Sequence, residues 1–158
     1  MEFRKAKLDD ILKIKNLYDS VKGSEFFTWH DEYPGDFELN EDFNTDNLFV
    51  LEDNNDVIGA ISFIPENELD DVEGFQIYED ACEFARVAIR KDYQGKGLSK
   101  LLVTNIIEEA KKRNKKTIHI LVAKINIPAQ KLYESCGFNF IRDIYKFQTD
   151  FILCELVL

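Results

Sequence analysis

The sequence has little of what marks many functional classes. Its 158 residues include three cysteines, two histidines and three prolines. Cys82, Cys136 and Cys154 are odd in number, far apart, and form no CxxC. That pattern argues against a disulfide framework and fits free thiols in a reducing compartment. His30 and His119 are too few for a histidine-rich metal site, so no metal is expected. No apolar run approaches the roughly 20 residues that span a bilayer. Met1-Glu2-Phe3-Arg4-Lys5 leads into no apolar signal region. The expectation is a soluble, cytoplasmic protein with no membrane partner.

Basic charge is absent from one long stretch. Between Gly23 and Ala85 there is no Lys or Arg, against 19 Asp and Glu. From Arg86 onward 14 bases face seven acids, and the net charge of the chain is −10. Acidic loops alone keep a protein soluble. The segregation suggests more, namely a basic half that holds a polyanion and an acidic half that attracts a cation. Nucleic acid is not an expected partner, because the bases form no stripe interleaved with aromatics and the chain is acidic overall.

What is present fits one α/β domain over residues 1–158, long enough to bury a core. Phe3 to Lys7 reads as a short strand, and Leu8-Asp9-Asp10 opens a helix. Ile11, Leu12, Ile14, Leu17, Tyr18 and Val21 give that helix an apolar face, and Gly23 ends it. An aromatic segment follows, with Phe26, Phe27, Trp29 and Tyr33. Phe27, Trp29 and Tyr33 either plug the edge of the core or form the wall of a pocket for an amine cation. Asp36 to Asn44 reads as a short acidic helix, and Asn47 to Glu52 with Val57 to Pro65 as a hairpin. Glu66 to Glu73 carries five acids in eight residues and reads as a mobile loop.

Ala81 to Arg90 reads as the central strand, and Leu98 to Arg113 as a long helix. Thr117 to Ala123 is nearly all apolar, as befits a buried strand. Strand, helix and strand in this order imply parallel pairing with a right-handed crossover. Asn126 caps a second helix with Pro128 in its first turn, and Gly137 closes it. Phe138 to Lys146 and Asp150 to Val157 read as a final antiparallel pair.

Between central strand and long helix lies Gln94-Gly95-Lys96-Gly97-Leu98-Ser99-Lys100. A glycine loop at a helix start presents free N–H groups and a positive dipole end to an anion. Gly95-x-Gly97 alone is often just a turn. It is neither a dinucleotide fingerprint nor a nucleotide P-loop, since the third glycine and the Gly-Lys-Ser/Thr are missing.

Gln94 to Ser99 resembles the Gln/Arg-x-x-Gly-x-Gly/Ala loop of the GCN5-related N-acetyltransferases. Asn126-x-x-Ala129-x-x-Leu132-Tyr133-x-x-x-Gly137-Phe138 is similar to that family's second signature, and it follows in the family's order. Ser99 departs from the pattern, standing where Gly or Ala is expected.

The resemblance implies a mixed, mostly antiparallel sheet flanked by helices, with a central pair of parallel strands splayed apart. It implies acetyl-CoA as donor and a primary amine as acceptor, with direct attack in a ternary complex. The pantetheine arm would pair with the backbone of Val87, Ala88 and Ile89, one N–H polarising the thioester carbonyl. The loop at Gln94, Gly95, Lys96, Gly97, Leu98, Ser99 and Lys100 would hold the pyrophosphate. Lys91 and Arg90 are further candidates for its charge, though each such cation alone reads as an ordinary solvated side chain. Asn126 would bond the pantetheine arm, and Tyr133 would be the acid that protonates the leaving thiolate. Glu83 is the candidate base, with Glu79 and Asp80 weaker ones. Strand alternation places Glu83, Ala85, Val87 and Ile89 on one face.

On its own chemistry Glu83 could equally be a surface glutamate, and Tyr133 a core ring. His119 reads as a core histidine and Cys136 as packing. The acidic stretch favours a cationic acceptor, either a small molecule or a peptide amine. A homodimer is compatible with the family. The alternative function is an inactive acyl-CoA-binding sensor or partner module of the same fold.

Overall fold

The apolar periodicities fold into seven strands and four helices within residues 1–158, all of which the computed structural model describes. Strand β1 (Glu2–Lys5) and a short 3-10 turn lead into α1 (Ile11–Val21) and α2 (Asp36–Asn44). The hairpin is β2 (Leu48–Asp53) and β3 (Asp56–Ile64). Then come β4 (Ala81–Ile89), α3 (Leu98–Lys112), β5 (Thr117–Ala123), α4 (Ile127–Ser135), β6 (Asn139–Lys146) and β7 (Thr149–Val157). The helix Asp36–Asn44 and the strand Thr117–Ala123 match the sequence expectation to the residue. No helix is long and apolar enough to cross a membrane.

The strands form one sheet in the order β1-β2-β3-β4-β5-β7-β6. Every pair is antiparallel except β4 with β5. Helix α1 buries Ile14, Leu17, Tyr18 and Val21 against Val50, Val57, Ala60 and Ala88 on one face. On the other, α3 buries Leu102, Val103, Ile106 and Ala110 against Ile61, Cys82, Phe84 and Ile118.

The parallel pair is short. Ala81 faces Thr117 and Cys82 faces Ile118, and there the register ends. From Glu83 onward the β5-side edge of β4 has no ladder partner, so the two strands splay as expected.

Alternation along β4 fails at one point. Ala85 pairs with Ser62 and Ala88 with Ala60, so Arg86 and Val87 both oppose Ile61. Arg86 takes φ +54. The extra residue is a β-bulge, and it turns the strand over. Glu83 therefore does not share a face with Val87 and Ile89. Val87 and Ile89 pack with Phe84 on the α3 face, while Glu83 points to the opposite one.

The acidic segment after β3 is anchored. Leu69, Val72 and Phe75 are buried with Leu153 in a small separate core. Phe75 stacks on His119 with ring centroids 3.5 Å apart. The acids around these three apolar residues masked their role in the sequence.

Candidate active site

The glycine loop is built as a cradle. Gly95 and Gly97 both hold left-handed φ values, +75 and +77, and nothing lies within 4 Å of where a Cβ would stand on either. None of the backbone N–H groups from Gly95 to Lys100 is bonded within the protein. These donors sit at the start of a 15-residue helix, where the dipole favours an anion. Gln94 braces the loop from beneath, its Nε2 donating to the Ile89 carbonyl at 2.9 Å. Leu98 packs on the core, while Ser99 is half-buried and Lys96 and Lys100 are exposed. Lys96 lies over the Tyr93 ring, 4.9 Å from its centroid. Arg90 is drawn away from the cradle by ion pairs with Asp56 and Asp92. The cradle and the open seam of β4 run into one another. Together they fit a ligand with a polyanionic end and a strand-like arm, which is the chemistry of acyl-CoA.

Across the seam, α4 carries the second set of residues. The Asn126 side chain accepts from the Ala129 N–H at 3.1 Å, capping the helix. Tyr133 is buried, its ring 5.6 Å from Phe84 and 5.8 Å from Phe138 between centroids. Burial holds its phenol well above the usual range, so the hydroxyl keeps its proton at neutral pH.

Glu83, one residue from Phe84, occupies the other side of the sheet. Its Oε2 accepts the Glu68 backbone N–H. Burial is the main force that pushes its carboxyl up to about 7. The charges of Glu68 and Asp70 add to the rise, whereas the Glu68 N–H and Arg86 oppose it. Glu83 and Tyr133 thus flank the seam from opposite faces. The weaker base candidates are engaged elsewhere, since Glu79 and Asp80 pair with Lys116 at 2.9 and 3.5 Å.

A buried polar cluster that sequence reasoning missed lies beside them. Asp42 of α2 holds Arg86 by two bonds of 2.7 Å each. Ser62 Oγ donates to Asp42 at 2.6 Å, and Arg86 Nη1 donates to the Tyr33 hydroxyl at 3.2 Å. The only signal in the sequence is positional: Arg86 is the first base after the stretch that has none. Tyr33 therefore belongs to this cluster. Phe27 and Trp29 pack edge-to-face, 4.9 Å apart, and Trp29 meets Tyr18 of the core at 5.4 Å. Both remain partly exposed.

The Acetyltransferase (GNAT) family model matches residues 14–138. The chain belongs to the GNAT acetyltransferase family. Its sequence is 38% identical over 64 residues to the ribosomal protein bS18-alanine N-acetyltransferase of Escherichia coli, across 40% of this chain and 43% of that protein. It is 39% identical over 57 residues to the uncharacterised N-acetyltransferase YvbK of Bacillus subtilis, across 36% and 37%. The match thus spans less than half the length of these curated relatives. The fold is that of a putative acetyltransferase from Salmonella typhimurium solved with acetyl-CoA, with a TM-score of 0.80, 24% identity, and coverage of 100% and 94%. It is also that of the ribosomal-protein-alanine N-acetyltransferase of Brucella melitensis, with a TM-score of 0.79, 23% identity and full coverage of both chains.

The division of charge in this GNAT chain is partly an internal pairing. Eight of the acids between Gly23 and Ala85 form ion pairs with bases from outside that stretch. Glu66, Glu68 and Asp70 do not, and Glu68 and Asp70 are the two whose charges reach Glu83. Glu25, Asp31, Glu32, Glu38, Glu41, Asp53 and Glu73 also stand outside those pairs, so the free negative charge is spread over the stretch and part of it lies beside the candidate base.

His119 satisfies the core reading. Its Nε2 donates to the Ile77 carbonyl at 2.7 Å and to Glu155 at 3.1 Å, and Asn67 Nδ2 donates to its Nδ1 at 3.1 Å. Burial lowers its pKa, and these partners suit a neutral ring protonated at Nε2.

Proposed function

We propose that the protein is an acetyl-CoA-dependent N-acetyltransferase acting on a primary amine by direct attack in a ternary complex. The observation that carries this reading is the open β4–β5 seam. It ends at a cradle of N–H groups with no partner within the protein and is flanked by a carboxyl poised near neutrality and by a buried phenol. Acetyl-CoA would supply the acetyl thioester and a thiolate leaving group.

The residues of the chain then divide the work. Glu68, Asp70 and Glu83 draw in the ammonium form of the acceptor. Glu83 takes its proton, directly or through one water, and frees the lone pair that attacks the carbonyl carbon. A backbone N–H between Val87 and Ile89 donates to the carbonyl oxygen as negative charge grows there. Tyr133 gives its proton to the departing sulfur and regains one through water from the nitrogen, which must shed its second proton as the C–S bond breaks, so amide and free thiol are the products. The N–H groups of Gly95 to Lys100 hold the pyrophosphate, and Asn126 orients the arm.

A cysteine acyl carrier is not part of the proposal. Burial pushes the Cys82 and Cys154 thiols up to about 12, and it also raises Cys136. None is set up as a nucleophilic thiolate.

The acceptor fits a cationic small molecule or a peptide amine, because the field at Glu83 is negative. The partial likeness to a ribosomal-protein alanine acetyltransferase adds a protein N-terminal alanine to the amines worth testing. The experiment is release of free CoA thiol from acetyl-CoA across polyamines, amino sugars and Ala-initiated peptides. Turnover with one of them supports the proposal. Binding of acetyl-CoA without turnover on any acceptor would leave a CoA-binding module instead.

A further inference from the structure

We infer that Arg86 is a positioning residue. Held by Asp42 of α2, it keeps the β4 bulge in its left-handed turn and so fixes the direction of the Val87 N–H at the open seam. The inference rests on the acetyl-transfer reading for its functional meaning, though not for its geometry.

Arginine does not choose φ +54 by itself. Such a conformation persists where the surroundings over-determine it, and here they do. The guanidinium is gripped at both Nε and Nη2 by one carboxylate, and the two side chains are only 10% and 7% exposed. Asp42 is itself fixed by Ser62, which pairs with Ala85 next to the bulge. Three elements, α2, β3 and β4, therefore close on one residue. The peptide unit that Arg86 rotates is the one carrying the Val87 N–H, and bulges beside active sites typically re-aim such groups.

The same guanidinium donates to Tyr33, so the segment proposed to meet the acceptor hangs on the residue that sets the donor-side backbone. A buried pair of this kind is weak as a device for stability, because desolvation offsets its attraction. Its value lies in holding one backbone geometry. The charge of Arg86, which reaches Glu83 and favours the carboxylate there, is paired with Asp42.

The test uses the full chain with Arg86→Lys, which keeps the charge but loses the fork. Arg86→Gly is added because it permits left-handed φ without strain while removing the clamp. CoA affinity is measured by calorimetry, kcat by thiol release, and amide exchange of β4 by mass spectrometry. The expected result in both variants is CoA affinity within about threefold of wild type, kcat lowered at least tenfold, and the β4 amides bonded to β3 on either side of the bulge exchanging at least tenfold faster. Wild-type kcat in the folded variants, or CoA affinity lost in step with kcat, overturns the inference. Unchanged exchange at those ladder amides overturns it even if the wild-type protein acetylates no amine, so its failure is separable from failure of the proposed reaction.

Discussion

The Glu68 backbone N–H donates to Oε2 of Glu83, joining the acidic segment after β3 to the central strand. This bond favours the carboxylate, while burial and the charges of Glu68 and Asp70 disfavour it more strongly. The balance leaves Glu83 at about 7, where a general base works best at neutral pH.

Activity should follow that carboxyl. The proposal predicts that kcat/KM rises with pH and levels off above about 7. Glu83→Gln should lower it by about 10²-fold or more at pH 8 and abolish the limb near 7. A pH–rate profile of both proteins checks this. The same limb in the variant would assign it to another group.

Stability should move the opposite way. The folded-state pKa of Glu83 is raised to about 7 from its ordinary 4.5, so the native state holds that proton more tightly than the unfolded state does. Ionisation therefore costs the folded protein nothing below about 4.5, and the full penalty is present above about 7. Glu83→Gln removes the penalty. Urea titrations should find the variant more stable by about 1–3 kcal/mol at pH 8 and equal to wild type at pH 4. A destabilised variant at pH 8 would show that the Glu68 bond outweighs burial.

Tyr133→Phe should separate chemistry from packing. The ring contacts with Phe84 and Phe138 survive the change, and no hydrogen bond of the hydroxyl is lost within the protein. The melting temperature should stay within about 2 °C, while kcat falls by about 10²-fold. Thermal melts and thiol release are the measurements, and an unaltered kcat would remove Tyr133 from the mechanism.

Gly97→Ala places a methyl in the cradle and forces alanine to φ +77. Left-handed backbone costs a residue with a side chain about 1–2 kcal/mol. CoA affinity by calorimetry should fall about tenfold or more, with the cradle obstructed and its N–H groups re-aimed. Affinity within twofold of wild type would place the pyrophosphate elsewhere.

Most of the fold was legible because its signals are local. The apolar run of Thr117–Ala123, the Asn126 cap and the left-handed glycines each announce themselves within a few residues. The bulge did not. A glycine at position 86 would have marked it, but arginine hides it, and strict alternation carries the reader past it with every later side chain on the wrong face. Asp42 was illegible for another reason. Among 19 acids it differs only in being buried against Arg86, and burial across three elements is a property of the fold. Likewise Leu69, Val72 and Phe75 were outvoted by the acids around them.

The seam also has a mechanical meaning. The seven strands are continuous on paper, but two residue pairs, Ala81 with Thr117 and Cys82 with Ile118, are the whole ladder joining β1–β4 to β5–β7. The remaining rungs would have to come from outside the chain. An arm lying along Val87 to Ile89 would then be a strut as well as a reactant, stiffening the joint between two half-sheets each time a donor binds and releasing it each time a product leaves.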